Sequence, residues 1–400
     1  MKDKILKRFL KYVSFDTQSS DTTFTHPSTI KQKELAKYLV DELHALGVDN
    51  AFMDEYSYVY AKISGTNEEK TIGLAAHLDT ALECSGVVNP KIIEKYNGEV
   101  IKINDYSFLD PKVFTQLNNQ IGETLVTTDG TSLLGADDKA GIAIIMTLVE
   151  KILKEGKEYP NLIILFTPDE EIGEGTDKLN YEIFNPDFAY TLDGGTITDI
   201  NYENFNAATA FLTFTGKAIH PGSAKGKMVN SQLVAMEFNS MLPDIRPDNT
   251  ELYEGFDHIT KISGGVEETK AEYIIRNHDL DLFHKQIQDF YDITNKLNAN
   301  YGYEVVKCVI KHSYSNMSEK VTKMPYVLDY PVNAIKAKGL VPHFVPIRGG
   351  TDGARMSYNG VVTPNLGTGG YNCHGPLEYA SIDEMNQMVD ILFDMLKEIK

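Results

Sequence analysis

The chain has 400 residues, of which 42% are hydrophobic and 24% charged, and a formal net charge of −19. This length is enough for two or three domains or for one large domain with an insertion. The negative charge argues against binding of nucleic acid, whose phosphates select clustered lysine and arginine. Three widely separated cysteines suggest no disulfide framework and fit a reducing, cytoplasmic compartment. The N-terminus lacks a signal-peptide pattern and no apolar stretch reaches the length of a membrane span, so we expect no membrane segment.

The first half of the chain alternates helical and strand patterns. Helices are predicted at 4–14, at 29–46 and from about Lys139 onward, strands at 58–64, 71–76, 161–167 and 188–193, and an irregular segment at 84–128. The strands are short and largely apolar, as in strands that are buried on both faces. Strands that alternate with helices predict an α/β fold with a mixed, at least partly parallel sheet flanked by helices.

The pattern changes after residue 206. The predicted elements are strands at 210–216, 257–263, 270–276 and 303–313, with helices at 228–241 and 280–297. Their order, β-α-β-β-α-β, is that of a ferredoxin-like α+β unit. The α/β pattern of the first half then resumes, with a helix at 325–338, a strand at 361–366 and a helix at 382–399. We therefore predict an α/β domain formed by 1–207 and 315–400 and interrupted by an inserted α+β domain at 208–314.

The α/β part contains five clusters of histidine and acidic residues, and most of these clusters follow predicted strands. They are His77-Leu78-Asp79, Asp137-Asp138, Asp169-Glu170-Glu171, Asp193 and, in a glycine-rich segment, His374. Each has an ordinary explanation by itself: a histidine at a strand end, helix-capping aspartates, a solvated acidic loop or a common turn. Together they are more informative, because side chains that follow neighbouring strands of one sheet converge on one crevice.

Such a crevice would be rich in nitrogen and oxygen donors. Imidazole and carboxylate ligands without thiolate suit zinc, manganese or cobalt in a hydrolytic site. Two metal ions roughly 3.5–4 Å apart need a carboxylate that bridges them. Asp79, two residues after His77, could hold the second nitrogen of the imidazole and fix its tautomer.

Eight segments also occur in the order that is typical of one enzyme family. They read H-L-D-T, T-T-D-G-T-S-L-L-G-A-D-D-K-A-G, F-T-P-D-E-E-I-G, L-D-G-G, N-F-N-A-A, H-P-G-S-A-K-G, I-R-G-G-T-D-G-A and G-G-Y-N-C-H-G. In these segments, which run over nearly the whole chain, the protein resembles the M20 family of metallopeptidases and, within it, the tripeptide aminopeptidases.

The resemblance implies a ligand set for two zinc ions per subunit, with cobalt or manganese as substitutes. His77 and Asp193 would bind one ion, and Glu171 and His374 the other. Asp138 would bridge both ions, and the peptide bond after this bridging aspartate would be cis. The inserted domain would be the lid and dimerisation domain of a homodimer.

The resemblance also implies roles in catalysis. Glu170 would be the general base, and Asp79 would orient His77. His220 would stabilise the oxyanion, and in similar dimers the equivalent histidine comes from the partner subunit.

Two arginines are candidates for binding the carboxylate of a peptide, since the guanidinium fork matches a carboxylate. They are Arg276 and Arg348, each of which could equally be an ordinary surface or loop charge. Gly350 would let the substrate backbone approach closely. Asn277 stands where similar tripeptidases commonly have aspartate, so this chain lacks one negative charge beside Arg276.

These observations predict a cytoplasmic di-zinc aminopeptidase that removes the N-terminal residue from short peptides, preferentially tripeptides. Two alternatives stay open. The chain could be another M20 hydrolase, a dipeptidase or an N-acyl amino acid hydrolase, with the same metal site. It could also be a metal-binding or peptide-binding protein without catalysis, although such a protein has no need of Glu170 beside Glu171.

Overall fold

A computed structural model describes residues 1–84, 86–156 and 158–399 of the chain. Within these ranges, no helix is both long and apolar enough to cross a membrane.

The helices lie close to the predicted positions. They are α1 (Lys2–Val13), α2 (Gln32–Ala45), α3 (Ala136–Glu155), α4 (Ser231–Met241), α5 (Leu280–Tyr301), α6 (Ser318–Val321), α7 (Tyr326–Ala337), α8 (Asp352–Tyr358) and α9 (Ile382–Glu398). Single 3-10 turns occur at Thr115–Asn119, Glu170–Ile172 and Pro221–Ser223. The short helices α6 and α8 were not predicted.

The strands are more numerous than predicted. They are β1 (Phe52–Met53), β2 (Val59–Ile63), β3 (Asn67–His77), β4 (Lys91–Ile93), β5 (Ile101–Lys102), β6 (Phe108–Leu109), β7 (Leu125–Thr127), β8 (Pro160–Thr167), β9 (Phe188–Leu192), β10 (Asp199–Asn201), β11 (Asn206–Thr215), β12 (Phe256–Gly264), β13 (Glu268–Asn277), β14 (Val306–Tyr314), β15 (His343–Phe344), β16 (Asn365–Leu366), β17 (Gly370–Tyr371) and β18 (Tyr379–Ser381). The prediction of an irregular 84–128 segment was wrong, because it contains β4 to β7. These strands have two or three residues each, too few to show an alternating pattern.

A mixed eight-stranded sheet carries the α/β part, in the order β1-β2-β8-β3-β9-β16-β10-β15. Strand β3 pairs in parallel with β8 on one side and with β9 on the other. The carboxyl ends of these three strands therefore lie at one edge of the sheet. A smaller antiparallel sheet has the strand order β17-β18-β7-β4.

The centre of the large sheet is buried on both faces. Leu74 and Ala75, successive residues of β3 that point to opposite faces, are 0% and 1% exposed. A Cβ atom at Gly73 would lie 2.6 Å from the Cβ of Ala189 on β9, so only glycine fits there. Helix α3 packs against β3 and β9 and contacts α1 and α9. This packing fixes the start of α3 close to the ends of the central strands.

The chain divides into two compact units. The first comprises Met1–Tyr202, Met317–Val345 and Thr351–Lys400, and the second comprises Glu203–Asn316 and Pro346–Gly350. The predicted insertion at 208–314 did not include Pro346–Gly350.

The second unit has the element order β11-α4-β12-β13-α5-β14. Its antiparallel sheet has the strand order β12-β13-β11-β14, which is the ferredoxin-like arrangement. On β13, Ala271, Tyr273 and Ile275 alternate with more exposed residues and pack into the core beneath α4 and α5. Burial of this alternating face joins the sheet to its helices.

A buried chain of polar side chains crosses this second unit. Asn277 donates a hydrogen bond from Nδ2 to Oε1 of Gln286 (2.8 Å), and Gln286 donates from Nε2 to Oδ1 of Asp257 (2.9 Å). The other carboxylate oxygen of Asp257 is buried and has no hydrogen-bond partner among the described residues. Burial raises the pKa of Asp257 to about 7; Asp289 adds to the rise, and Gln286 and Lys285 oppose it.

We predict that Asp257→Asn makes the protein less sensitive to pH. Between pH 4 and 7 the folded wild type holds a proton on Asp257 that the unfolded chain releases, so its stability falls as the pH rises through this range. The variant should match wild type near pH 4 and exceed it at pH 8 by roughly 1–4 kcal/mol. Urea unfolding at both pH values measures the difference, and an equal difference at pH 4 and pH 8 would contradict the prediction.

Candidate metal centre

Three adjacent strands deliver acidic and histidine side chains to one edge of the large sheet. His77 is the last residue of β3, and Asp193 directly follows β9. Glu170 and Glu171 begin the 3-10 turn that follows β8. This edge is where open α/β sheets bind ligands. The expected convergence of these clusters therefore has its physical cause in the parallel pairing of β8, β3 and β9.

Asp137 lies between the two histidines. Its Oδ1 is 2.8 Å from Nε2 of His77, and its Oδ2 is 3.3 Å from Nε2 of His374. His374 Nε2 is also 3.0 Å from Oε2 of Glu171. One carboxylate thus faces two imidazoles with its two oxygens, which is the arrangement that a bridging ligand requires.

Two overlapping groups of donor atoms are compact enough to hold a metal ion. One is His77, Asp137 and Glu171, and the other is His77, Asp138 and Asp193, with all donor atoms of a group within 4.8 Å of one another. The second oxygen of Glu171, Oε1, is buried without a hydrogen-bond partner among the described residues. A buried carboxylate oxygen in this state is costly unless a cation binds it, so the donors fit a pair of divalent metal ions.

Asp138 is placed differently from Asp137. Its Oδ2 accepts a hydrogen bond from the backbone N–H of His77 (3.1 Å), and its Oδ1 accepts one from the N–H of Gly141 (3.2 Å). The cis peptide bond is Asp137-Asp138, so the expectation of a cis bond at Asp138-Lys139 was wrong. With two adjacent aspartates, the sequence does not indicate which one faces the metal ligands.

Two further buried carboxylates hold the backbone of the loops that carry the donors. Asp79 accepts hydrogen bonds from the N–H groups of Glu170 (3.0 Å) and Glu171 (3.1 Å), and its Oδ1 lies 3.4 Å from Nδ1 of His77. The backbone carbonyl of Asp79 is also 3.1 Å from this nitrogen. The predicted partner of His77 therefore also contacts the backbone of the two glutamates.

Glu378 contacts the segment that leads into α3. It accepts hydrogen bonds from the N–H groups of Leu134 (2.7 Å), Gly135 (2.8 Å) and Asp137 (3.0 Å). It is 1% exposed, and burial raises its pKa to about 7 although these amides lower it. No sequence motif pointed to Glu378, which follows His374 by four residues in an otherwise ordinary loop.

Burial and mutual repulsion perturb the donors. Burial raises the pKa of Glu171 and Asp193, and for both the negative charge of Asp137 raises it further. Burial lowers the pKa of His77, but hydrogen bonds to Asp137 and Asp79 raise it well above its ordinary value. Hydrogen bonds to Asp137 and Glu171 raise the pKa of His374 to about 11. Protonated imidazoles would bring positive charge to this cluster, as metal ions do when they bind.

The remaining predicted site residues, His220, Arg276, Arg348 and Gly350, belong to the second unit. His220 is exposed, and its Nδ1 accepts a hydrogen bond from the N–H of Gly222 (3.2 Å). The guanidinium of Arg276 donates to two backbone carbonyls and lies 5.4 Å from the ring centre of Tyr314.

Arg348 is hydrogen-bonded to the 250–254 loop of the same unit. Its guanidinium donates to the carbonyls of Leu252 (2.9 Å) and Glu254 (2.8 Å) and to the hydroxyl of Thr250 (2.9 Å). Gly350 has the ring of Tyr314 within 2.9 Å of where its Cβ would be, so a side chain there would collide with that ring.

The chain belongs to Peptidase family M20/M25/M40, whose sequence model matches residues 133–398. Two relatives named Peptidase T are similar over the full length: one from Clostridium perfringens is 48% identical over 98% of both chains, and one from Bacillus subtilis is 44% identical over 100% of this chain and 99% of its own. The protein is therefore a peptidase, as the resemblance predicted.

The fold is likewise shared with solved structures. Aminopeptidase PepT from Bacillus cereus superposes with a TM-score of 0.80 at 20% identity, covering 100% of this chain and 98% of that one. A tripeptidase from Staphylococcus aureus gives 0.79 at 21% identity with the same coverage. These likenesses confirm the α/β fold class.

We predict that metal binding releases protons. The raised pKa values of His77 and His374 favour protonated imidazoles in the metal-free protein, and an imidazole must lose that proton to bind a metal ion. Loading with zinc chloride at pH 7 should therefore release protons, and His374→Ala should release fewer protons than the wild type. Calorimetry in two buffers of different ionisation enthalpy measures the release. Heats that do not depend on the buffer would contradict the prediction.

Proposed function

We propose that the protein is an aminopeptidase that removes the N-terminal residue from short peptides, preferentially tripeptides. The observation that carries this proposal is the full-length similarity to relatives named Peptidase T. The centre at the end of β3, β8 and β9 supports it, because paired imidazole and carboxylate donors around one central carboxylate suit a hydrolytic metal pair.

We propose two zinc ions as the resident metals, with cobalt or manganese as substitutes. His77 and Asp193 would hold one ion, and Glu171 and His374 the other. The geometry favours Asp137 over Asp138 as the bridge, because the oxygens of Asp137 face both histidines whereas those of Asp138 accept backbone N–H groups. When bound, such metals polarise a carbonyl and lower the pKa of a water toward neutrality.

Glu170 is the proposed general base. It would take a proton from the attacking water and pass it to the leaving amine. Its backbone N–H is fixed by Asp79 (3.0 Å), and burial, with the charge of Asp193 next in importance, raises its pKa well above the ordinary value. A carboxyl group with a raised pKa is suited to hold the proton between these two steps.

The second unit would bind the substrate. We propose it as a lid and dimerisation domain in a homodimer, where His220 would stabilise the oxyanion in the partner's site. Arg276 is a better candidate than Arg348 for the substrate carboxylate, since three contacts already tie the Arg348 guanidinium to the 250–254 loop. Gly350, which packs against the ring of Tyr314, is the remaining candidate contact for the peptide backbone.

We also propose a cytoplasmic location. Cys84, Cys308 and Cys373 are free thiols, which fits a reducing compartment.

A substrate panel tests the proposed function. Zinc-loaded protein is incubated with a free tripeptide, the matching dipeptide and tetrapeptide, and the N-acetylated tripeptide, and mass spectrometry follows release of the first residue. We expect the free tripeptide to be cleaved fastest and a chelator to stop the reaction. Preference for the dipeptide or the acylated peptide would replace the proposal with one of the other M20 activities, and two bound metals without any cleavage would favour a binding protein.

Glu170→Gln tests the general base. The substitution keeps the shape of the side chain but removes its ability to accept a proton, so kcat should fall at least about a hundredfold while metal content stays at the wild-type level. Glu174→Gln is the matched control, because it makes the same change at an exposed position four residues away. Wild-type turnover by Glu170→Gln would exclude Glu170 as the base.

A further inference from the structure

The residue before the proposed base, Asp169, has a fully buried carboxylate that is bound by a segment of the chain outside every motif described above. The N–H of Ser28 donates to Oδ2 (2.7 Å) and its hydroxyl to Oδ1 (2.5 Å), while Nε2 of Gln32 donates to Oδ1 (2.6 Å). Asp169 is 0% exposed and Gln32 is 0% exposed. These contacts are well made, so they define the position of the carboxylate closely.

A histidine completes this cage. Nδ1 of His26 lies 3.3 Å from Oδ2 of Asp169, and its Nε2 lies 3.1 Å from the hydroxyl of Tyr58. That hydroxyl also accepts a hydrogen bond from the N–H of Lys178 (3.2 Å). His26, Ser28 and Gln32 thus surround one carboxylate.

Gln32 binds the backbone of Asp169 as well as its side chain. The N–H of Asp169 donates to Oε1 of Gln32 (3.1 Å), so the amide of Gln32 holds Asp169 at two points. Asp169 has a φ of 58°, in the left-handed region that residues other than glycine rarely adopt. Such a conformation persists only when its surroundings enforce it, and the cage supplies that enforcement.

The chain turns at Asp169 directly into Glu170 and Glu171. Their N–H groups are held by Asp79, so this short segment is fixed by Asp79 from within the metal centre and by the cage at Asp169 just before it. A change of backbone direction at Asp169 would re-aim both glutamate side chains. Through Asp169, the 26–32 segment therefore influences the positions of Glu170 and Glu171 in the metal centre.

We propose that Ser28 and Gln32 are positioning residues that act through Asp169 to aim Glu170 at the substrate and Glu171 at its metal ion. The inference rests on the proposed roles of Glu170 and Glu171. Outer contacts of this kind typically change metal affinity or activity about 10–100-fold when they are removed.

Two substitutions and two controls test the proposal in the full-length protein. Ser28→Ala removes the hydroxyl but keeps the backbone bond, and Ser28→Thr restores a hydroxyl. Gln32→Met removes both contacts of the amide, and Lys37→Met makes the matching change at an exposed position of the same helix. The measurements are the dissociation constants of zinc by competition with a chelator, kcat and KM for a free tripeptide, and the melting temperature.

We expect Ser28→Ala and Gln32→Met each to weaken zinc binding about tenfold or more, to lower kcat about tenfold or more with KM little changed, or to do both. The controls Ser28→Thr and Lys37→Met should stay close to wild type. A lower melting temperature with unchanged zinc affinity and unchanged kcat per folded molecule would show a merely structural role and overturn the proposal. If the wild type cleaves no peptide, the proposed function fails, whereas the zinc measurements still decide the role of Ser28 and Gln32.

Discussion

Buried carboxylates that accept hydrogen bonds from backbone N–H groups hold the candidate metal centre together. Asp138 binds the backbone of His77, Asp79 binds the backbone of Glu170 and Glu171, and Glu378 binds the backbone of Asp137. Each of these carboxylates thereby fixes the backbone of a candidate metal donor. A buried backbone N–H group that lost its carboxylate partner would destabilise the fold by about 1–3 kcal/mol. These hydrogen bonds therefore fix the loops relative to one another.

The concentration of buried carboxylates also explains why this site favours bound cations. Parallel pairing of β8, β3 and β9 concentrates carboxylates at one edge of the sheet, and burial makes their charges expensive. Backbone N–H groups donate hydrogen bonds to Asp79, Asp138 and Glu378 and stabilise their carboxylates. Asp137, Glu171 and Asp193 have fewer such partners among the described residues, and they are the carboxylates that we propose as metal ligands. In this proposal, backbone hydrogen bonds distinguish the supporting acids from the ligating acids.

Much of this could be read from the sequence, because the strands are apolar runs and the acids follow them directly. The order of elements in the second unit could also be predicted, because buried residues such as Ala271 and Tyr273 alternate with more exposed residues along its strands. The choice between Asp137 and Asp138 was not, because two adjacent aspartates differ only in the direction that the folded backbone gives them. Glu378 and the cage of Ser28 and Gln32 around Asp169 escaped notice because their partners are more than a hundred residues away. The short strands between 84 and 128 depend on tertiary pairing rather than on local pattern.

An anomalous difference map at the zinc absorption edge, from crystals of the zinc-loaded protein, tests the proposed metal centre directly. We expect two peaks roughly 3.5–4 Å apart, with Asp137 between them, His77 and Asp193 at one peak, and Glu171 and His374 at the other. A single peak, or two ions bridged by Asp138 with Asp137 turned away, would refute the proposed centre.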